Sequence, residues 1–317
     1  MERKTRSTRR KKKWLKVTAL LTTLVVLLVC SGAGYLYVKA NQAASKSYLE
    51  LERGEKSELR TQPVDIGKDS FSVLLMGDDA RPGEDHARSD AMLVATFNKE
   101  KKTIILTSIP RDSYVDIVGK GKMDKITHAN AFGGVDMAVD TVEQLLQIPI
   151  DHYAVAKFDG LKDIVDALGG IDVDVAFTFD FTEKGKTLHF TEGPSHLTGE
   201  EALAYSRERK NPKAGGDFGR GQRQQQVLEG IINEAASLSS IQNYDKLFES
   251  LGGNLRTDLT FANLLSLHGY ATSLVDMETV QLEGTPFRGN DGISYVRVND
   301  DSLQTIRAKL KEHLDLQ

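Results

Sequence analysis

The chain has a single cysteine, Cys30, among its 317 residues. One thiol cannot close an intrachain disulfide, and it excludes a cysteine-built zinc site or iron–sulfur cluster. Only seven prolines occur, and hydrophobic and charged residues make up 40% and 27% of the chain. These ordinary fractions exclude collagen-like and wholly disordered chains. The seven histidines are scattered without HExxH spacing, which argues against a zinc protease. The GxxxxGK[ST] phosphate loop, the GxSxG nucleophile elbow and the GxGxxG dinucleotide fingerprint are all missing. Aromatic residues do not interleave with basic ones, so nucleic acid is not an expected partner. Long apolar runs are missing as well, with one exception.

The exception is Val17–Val38, 22 residues without a charge between Lys16 and Lys39. As a helix rising ~1.5 Å per residue it covers a hydrocarbon layer of ~30 Å. Trp14 at one end and Tyr35 and Tyr37 at the other suit the two membrane interfaces. Residues 1–16 hold nine Lys/Arg against one Glu, a net of +8, whereas residues 40–317 hold 31 against 44 acids, a net of −13. The positive-inside bias then puts the N-terminus in the cytoplasm and everything after Lys39 outside, with the basic tail against anionic membrane lipid. The run exceeds the apolar core of about 7–15 residues in a cleaved signal peptide. Val29 is too bulky for a lipoprotein signal at Cys30. The expected organisation is a cytoplasmic tail (1–16), a transmembrane helix (17–38), an extracellular stalk (39–67) and one extracellular domain (68–317). A single-pass protein of the cell membrane, retaining its N-terminus, is expected. Intact-mass analysis of membrane-extracted protein checks this, and a start near residues 32–43 contradicts it.

Within the outward part, β-forming runs at Phe71–Met76, Met92–Phe97 and Thr103–Ile109 come first. Helical periodicity follows at Val135–Leu146, then a strand at Tyr153–Phe158, a helix at Leu161–Leu168 ended by Gly169-Gly170, and a strand at Ile171–Val175. Helices near 200–206, 220–238, 244–251, 261–274 and 301–314, with strands at Val280–Leu282 and Tyr295–Val298, complete a mixed α/β (α+β) domain. The short link 98–102 predicts a hairpin, so the first three strands would form an antiparallel meander. Its geometry would bring Pro110-Arg111-Asp112 back to the edge that carries Asp78, Asp79, Arg81, Arg88 and Asp90. Aspartate oxygens suit Mg²⁺, and the planar arginine fork suits phosphate. Together they describe a site for a metal-bound pyrophosphate, although a solvated loop of ion pairs would carry the same residues.

A second cluster favours the anion site. Arg207 and Arg209 end one helix, and Arg220, Arg223 and Gln224 begin the next. Arg220 and Gln224 share a face with Val227 and Ile231, which points inward. An inward arginine needs an anionic partner, because a lone buried charge is costly.

These residues, in order, are familiar. Leu74-Leu75-Met76-Gly77-Asp78-Asp79-Ala80-Arg81, Arg88-Ser89-Asp90, Ser108-Ile109-Pro110-Arg111-Asp112, Gly169-Gly170-Ile171-Asp172-Val173, Tyr205-Ser206-Arg207-Glu208-Arg209 and Asp217-Phe218-Gly219-Arg220-Gly221-Gln222-Arg223-Gln224 follow the membrane anchor. The sequence resembles the LytR-CpsA-Psr family of cell-wall ligases over about residues 68–240, in particular its teichoic-acid-attaching Bacillus members. The resemblance implies transfer of a polymer from a polyprenyl-pyrophosphate donor to peptidoglycan through a phosphodiester. It also implies Asp79 and Asp90 as ligands of Mg²⁺ (Mn²⁺ as an alternative), with Asp78 competing with Asp79. Arg88, Arg111, Arg207, Arg209, Arg220 and Gln224 would contact pyrophosphate, with Arg81 and Lys125 beside them. Arg88, Arg111, Asp79 and Asp90 are the candidate catalytic set. A prenyl tunnel would be lined by helices at 135–146, 161–168 and 227–238. A prenyl-pyrophosphate hydrolase needs the same arginines but no acceptor. A non-catalytic receptor for an envelope anion needs only the binding groups.

Overall fold

The computed structural model describes residues 35, 38–39, 41–42, 44–78, 88–183, 185–237, 250, 252, 254–267, 270 and 277–316, with a few of their side chains excepted. The expected span Val17–Val38 lies outside these residues except at Tyr35 and Val38. No helix of the described residues is long and apolar enough to cross a membrane.

The chain runs through strands β1 (Phe71–Asp78), β2 (Ser89–Asn98) and β3 (Thr103–Ser108), then the hairpin β4 (Tyr114–Ile117) and β5 (Lys122–Lys125). Helix α1 (His128–Leu146), strand β6 (His152–Lys157), helix α2 (Phe158–Leu168) and strands β7 (Ile171–Val175), β8 (Phe179–Glu183), β9 (Lys186–Phe190) and β10 (Gly193–Leu197) follow. Next come α3 (Gly199–Arg207), a 3-10 turn at Pro212–Ala214, α4 (Gly216–Ser237), β11 (Leu255–Thr257) and α5 (Phe261–Leu267). Strands β12 (Glu278–Gln281), β13 (Gly284–Arg288) and β14 (Ser294–Val298) and helix α6 (Asp300–His313) end the series.

The main sheet has the order β11-β6-β1-β2-β3-β12. β1, β2 and β3 form the expected antiparallel meander, while β6 and β12 add parallel strands beside β1 and β3. The near-continuous apolar runs of β1 and β2 follow from burial on both faces. Leu74, Met76, Met92 and Val94 meet Val135, Ala138, Val139, Val142 and Leu146 of α1 and Ile306 and Leu310 of α6. On the other face Phe71 and Val73 join Leu259 and Tyr270, and Leu93, Ala95 and Leu106 meet Leu228 of α4. The apolar stripe of α1 is therefore packed core, with Ala138, Val139, Val142 and Leu146 at 0% exposure. Contacts with the sheet and with α6 consume this stripe. Ile164, Val165 and Leu168 of α2 are likewise buried, in a second cluster with β7, Tyr205 and Val227.

The segment expected as an extracellular stalk lies against the domain from Leu49 onward. Residues 49–70 contain no helix, and Leu51 and Ile66 are buried against the domain. Arg60 makes a two-pronged contact with buried Asp151, at 2.9 and 2.7 Å, and Arg53 pairs with Glu143 at 3.0 Å. Its arginines meet buried carboxylates of the domain, and this pairing lays the segment down as a strap.

His196 of β10 ties the end of α2 to its neighbours. Gly169 caps α2 in the left-handed conformation (φ +97°), and Gly170 (φ +111°) passes so close that a Cβ there would lie 2.1 Å from His196 Nε2. The ring nitrogens meet Asp172 Oδ1 at 2.7 Å and the Gly169 carbonyl at 3.0 Å. Both partners are acceptors, so only the imidazolium satisfies both. These two contacts hold the His196 pKa above its ordinary value. Its stabilising contribution is complete below the unfolded value of about 6.5 and disappears as pH rises through the higher folded value. The side chain is 56% exposed, so the effect on stability is small. Imidazole NMR should show His196 titrating above an ordinary histidine, and Asp172→Asn should bring it down. Titration at or below the ordinary value contradicts the pairing.

Candidate active site

Strand ends that the meander brings together build the site. Asp78 at the end of β1 lies opposite Ser89 at the start of β2, with a bulge between Gly77 and Asp78. Leu93 lies opposite Ser108 at the end of β3, and the Ile109 amide donates to the Met92 carbonyl at 2.9 Å. Arg88, immediately before β2 and exposed, and Arg111, just beyond β3, therefore flank one end of the sheet. The chain leaving β5 joins them: the Thr127 hydroxyl donates to the Ser89 carbonyl at 2.8 Å, and its amide donates to the Arg111 carbonyl at 3.3 Å.

Asp112 balances the two cations on this side. Lys125 Nζ is 2.7 Å from one of its carboxylate oxygens and Arg111 Nε is 3.7 Å from the other. The Arg111 and Lys125 side chains keep 20% and 16% exposure, enough to meet a ligand while most of each is desolvated. Desolvation strengthens their attraction for an anion.

The arginines of the second cluster approach through α4. Its N-terminal half lies across the C-terminal ends of β3 and β12. Gln281 donates to the Phe218 carbonyl at 3.1 Å, and buried Gln225 donates to the Val280 carbonyl at 3.2 Å. Gly221 allows the approach, because a Cβ there would lie 2.9 Å from both Ser108 Oγ and Gln281 Nε2. Arg220, next in sequence to Gly221, is 7% exposed, and Gln224 is half-buried one turn on. Ser108, against which Gly221 packs, is three residues from Arg111. The expected halves of the site thus share one sheet end. Arg207 ends α3, with Nη1 3.4 Å from Glu183, and Arg209 follows it, exposed.

Asp79 and Arg81 lie outside the described residues, and Asp90 is described only as backbone of β2. Asp78, by contrast, is fully buried and pairs with Arg256 of β11 at 2.8 Å. Among the described residues no three acid, histidine or cysteine side chains could hold a metal ion together. Two aspartates are a donor set that fits Mg²⁺, whose remaining coordination positions go to water and phosphate.

The family profile of LytR_cpsA_psr matches residues 34–312. The chain belongs to the LytR-CpsA-Psr family. It is 43% identical to the polyisoprenyl-teichoic acid–peptidoglycan teichoic acid transferase TagT of Bacillus subtilis (strain 168), over 98% of each chain. It is also 43% identical to the corresponding transferase TagU of Bacillus licheniformis, over 98% of this chain and 99% of that one. The structure of TagT bound to LIIa-WTA superposes with a TM-score of 0.72 at 40% identity, covering 84% of this chain and 100% of that one. That of the LytR-CPS2A-psr family protein YwtF (TagT) with bound octaprenyl pyrophosphate lipid does so with 0.68 at 37% identity, covering 84% and 100%.

In this LytR-CpsA-Psr chain several pairings that build the site carried no signal in the sequence. Asp112 becomes the partner of Lys125 only through the β4–β5 hairpin, whose short strands have no strong pattern. Arg256 meets Asp78 across 178 residues of sequence. Gln225 and Gln281 look like surface amides until α4 is laid on the sheet.

Proposed function

We propose that this LytR-CpsA-Psr protein is an envelope-facing phosphotransferase. It moves an anionic wall polymer, wall teichoic acid, from a polyprenyl-pyrophosphate carrier onto peptidoglycan through a phosphodiester bond. The observation that carries this reading is the gathering of Arg88, Arg111, Lys125 and Arg220 at one sheet end of an acidic domain. The chain's 43% identity to teichoic acid transferases supports it. The reading requires an outward domain held at the membrane, where lipid carrier and wall meet.

In the reaction a peptidoglycan hydroxyl attacks the phosphorus that bears the polymer. A new P–O bond forms, the hydroxyl proton passes to solvent, the bond to the bridging oxygen breaks, and polyprenyl phosphate leaves. Catalysis of such a transfer is mostly positioning and charge neutralisation. Arg111 and Arg220 hold the pyrophosphate from two sides, and Arg88, Arg207, Arg209 and Gln224 complete its contacts, with Arg81 and Lys125 beside them. Asp79 and Asp90 would hold Mg²⁺, or Mn²⁺, which supplies further neutralisation of the phosphate charge. Asp78 is engaged by Arg256, which favours Asp79 as the ligand of the doublet.

The test combines detergent-solubilised full-length protein, a polyprenyl-pyrophosphate-linked saccharide, Mg²⁺ and peptidoglycan fragments. The expected product is saccharide joined to peptidoglycan by a phosphodiester. Acceptor-independent release of saccharide phosphate would instead mark a hydrolase, and binding without turnover a receptor.

A further inference from the structure

Three residues beyond Arg220 stands Arg223, which the transfer chemistry does not use. It is 3% exposed and forms no ion pair among the described residues. One Nη donates to the Ala214 carbonyl at 3.0 Å and the other to the Glu208 carbonyl. Its guanidinium carbon lies 5.9 Å from the centre of the Phe177 ring. A buried cation is costly, and here its donors are directed at two main-chain oxygens of one loop.

That loop is braced within itself. The Glu208 carboxylate accepts the amides of Lys210 and Asn211 at 2.6 and 2.8 Å. The Asn211 side chain accepts the Lys213 amide at 2.9 Å, and Gly215 turns the chain with φ +69°. Residues 208–214 are therefore tied to one another, and Arg223 holds both ends of that loop to α4. Arg207 and Arg209 sit at its start, whereas Arg220 and Gln224 sit on α4 itself. Gly219 makes the close approach possible, because a Cβ there would lie 1.8 Å from the Ala214 carbonyl oxygen and 3.2 Å from Arg223 Nη1.

We infer that Arg223 is a positioning residue: by clamping the Glu208–Ala214 loop to α4, it sets Arg207 and Arg209 against the same pyrophosphate that Arg220 and Gln224 bind. The inference rests on the function proposed above. It explains why an arginine stands at a buried site with two main-chain carbonyls as its hydrogen-bond partners. A planar fork spans two carbonyls at once, whereas lysine offers the same charge on one nitrogen.

The test measures binding of geranylgeranyl pyrophosphate to solubilised full-length protein, with melting temperature followed in parallel. Arg223→Lys should bind about tenfold or more weakly, the size of a lost charge-assisted contact, and 5–50 mM guanidinium, a range of about tenfold, should partly restore Arg223→Ala. The decisive comparison is the Arg207→Ala/Arg209→Ala background. There Arg223→Lys should cost little more, since the groups it positions are already missing. An undiminished further loss in that background, or no loss in the wild-type background, overturns the inference. Should Arg223→Lys fail to fold, Gly219→Ala displaces the same clamp from the other side and carries the same comparison. Arg220→Ala serves as the control: if it too leaves binding unchanged, the proposed function fails, and not the clamp alone.

Discussion

Replacing Arg220 by alanine is expected to lower coupling turnover by roughly ten- to a hundredfold or more, as when a charge-assisted phosphate contact of ~1.5–3 kcal/mol strengthens in the transition state. The residue is 93% buried, being 7% exposed, and its neighbour Gly221 rests on Ser108 at the sheet end that leads to Arg111. Asp79→Ala should lower activity together with metal dependence. Because both groups would act on one pyrophosphate, the double mutant should lose less than the sum of the single losses. Coupling activity and pyrophosphate-lipid binding of folded single and double mutants check this. Single mutants that fold normally, bind normally and turn over normally would remove the proposed site.

Arg256→Ala should be the most destabilising change near the site. It leaves the Asp78 carboxylate, which has no exposure, without the guanidinium 2.8 Å away. Breaking a buried pair from one side costs about 3–5 kcal/mol. Arg256 itself is 30% exposed, so the lower end, about 3 kcal/mol, is expected. For a domain of this size that lowers the melting temperature by about 6–12 °C. Thermal unfolding of the full-length protein checks it, with Arg256→Lys as the charge-retaining comparison. A melting temperature within a degree of wild type would mean that other groups carry the charge of Asp78. Since β1 ends at this pair, activity should fall in step with stability.

Local signals in the chain were strong wherever one element is enough to state the chemistry. The alternating and continuous apolar runs of residues 71–109 announced three strands, and the five-residue link 98–102 announced their antiparallel order, because so short a connection cannot cross over. The stripe Val135–Leu146 and the inward face of Arg220, Gln224 and Val227 announced helices packed on one side. The order of the aspartate and arginine motifs was sufficient to indicate the LytR-CpsA-Psr family. Short strands such as β4, β5 and β11 gave no such signal, being too brief for periodicity to separate them from loop. The strap at 49–70 looked like a polar tether, because its partners Glu143 and Asp151 lie more than 80 residues away.

What the sequence determined by itself was therefore the chemistry and the family: which charges exist, in what order, and on which face of each helix or strand they project. Only the tertiary structure decided which charges face each other. Asp78 is occupied by Arg256, Asp112 stands between Arg111 and Lys125, and Arg223 grips a loop rather than a ligand. The reason is physical. A charge reads the same in a sequence whether water or a guanidinium surrounds it, and its partner is chosen by long-range packing, which brings together strands and helices that no local pattern links.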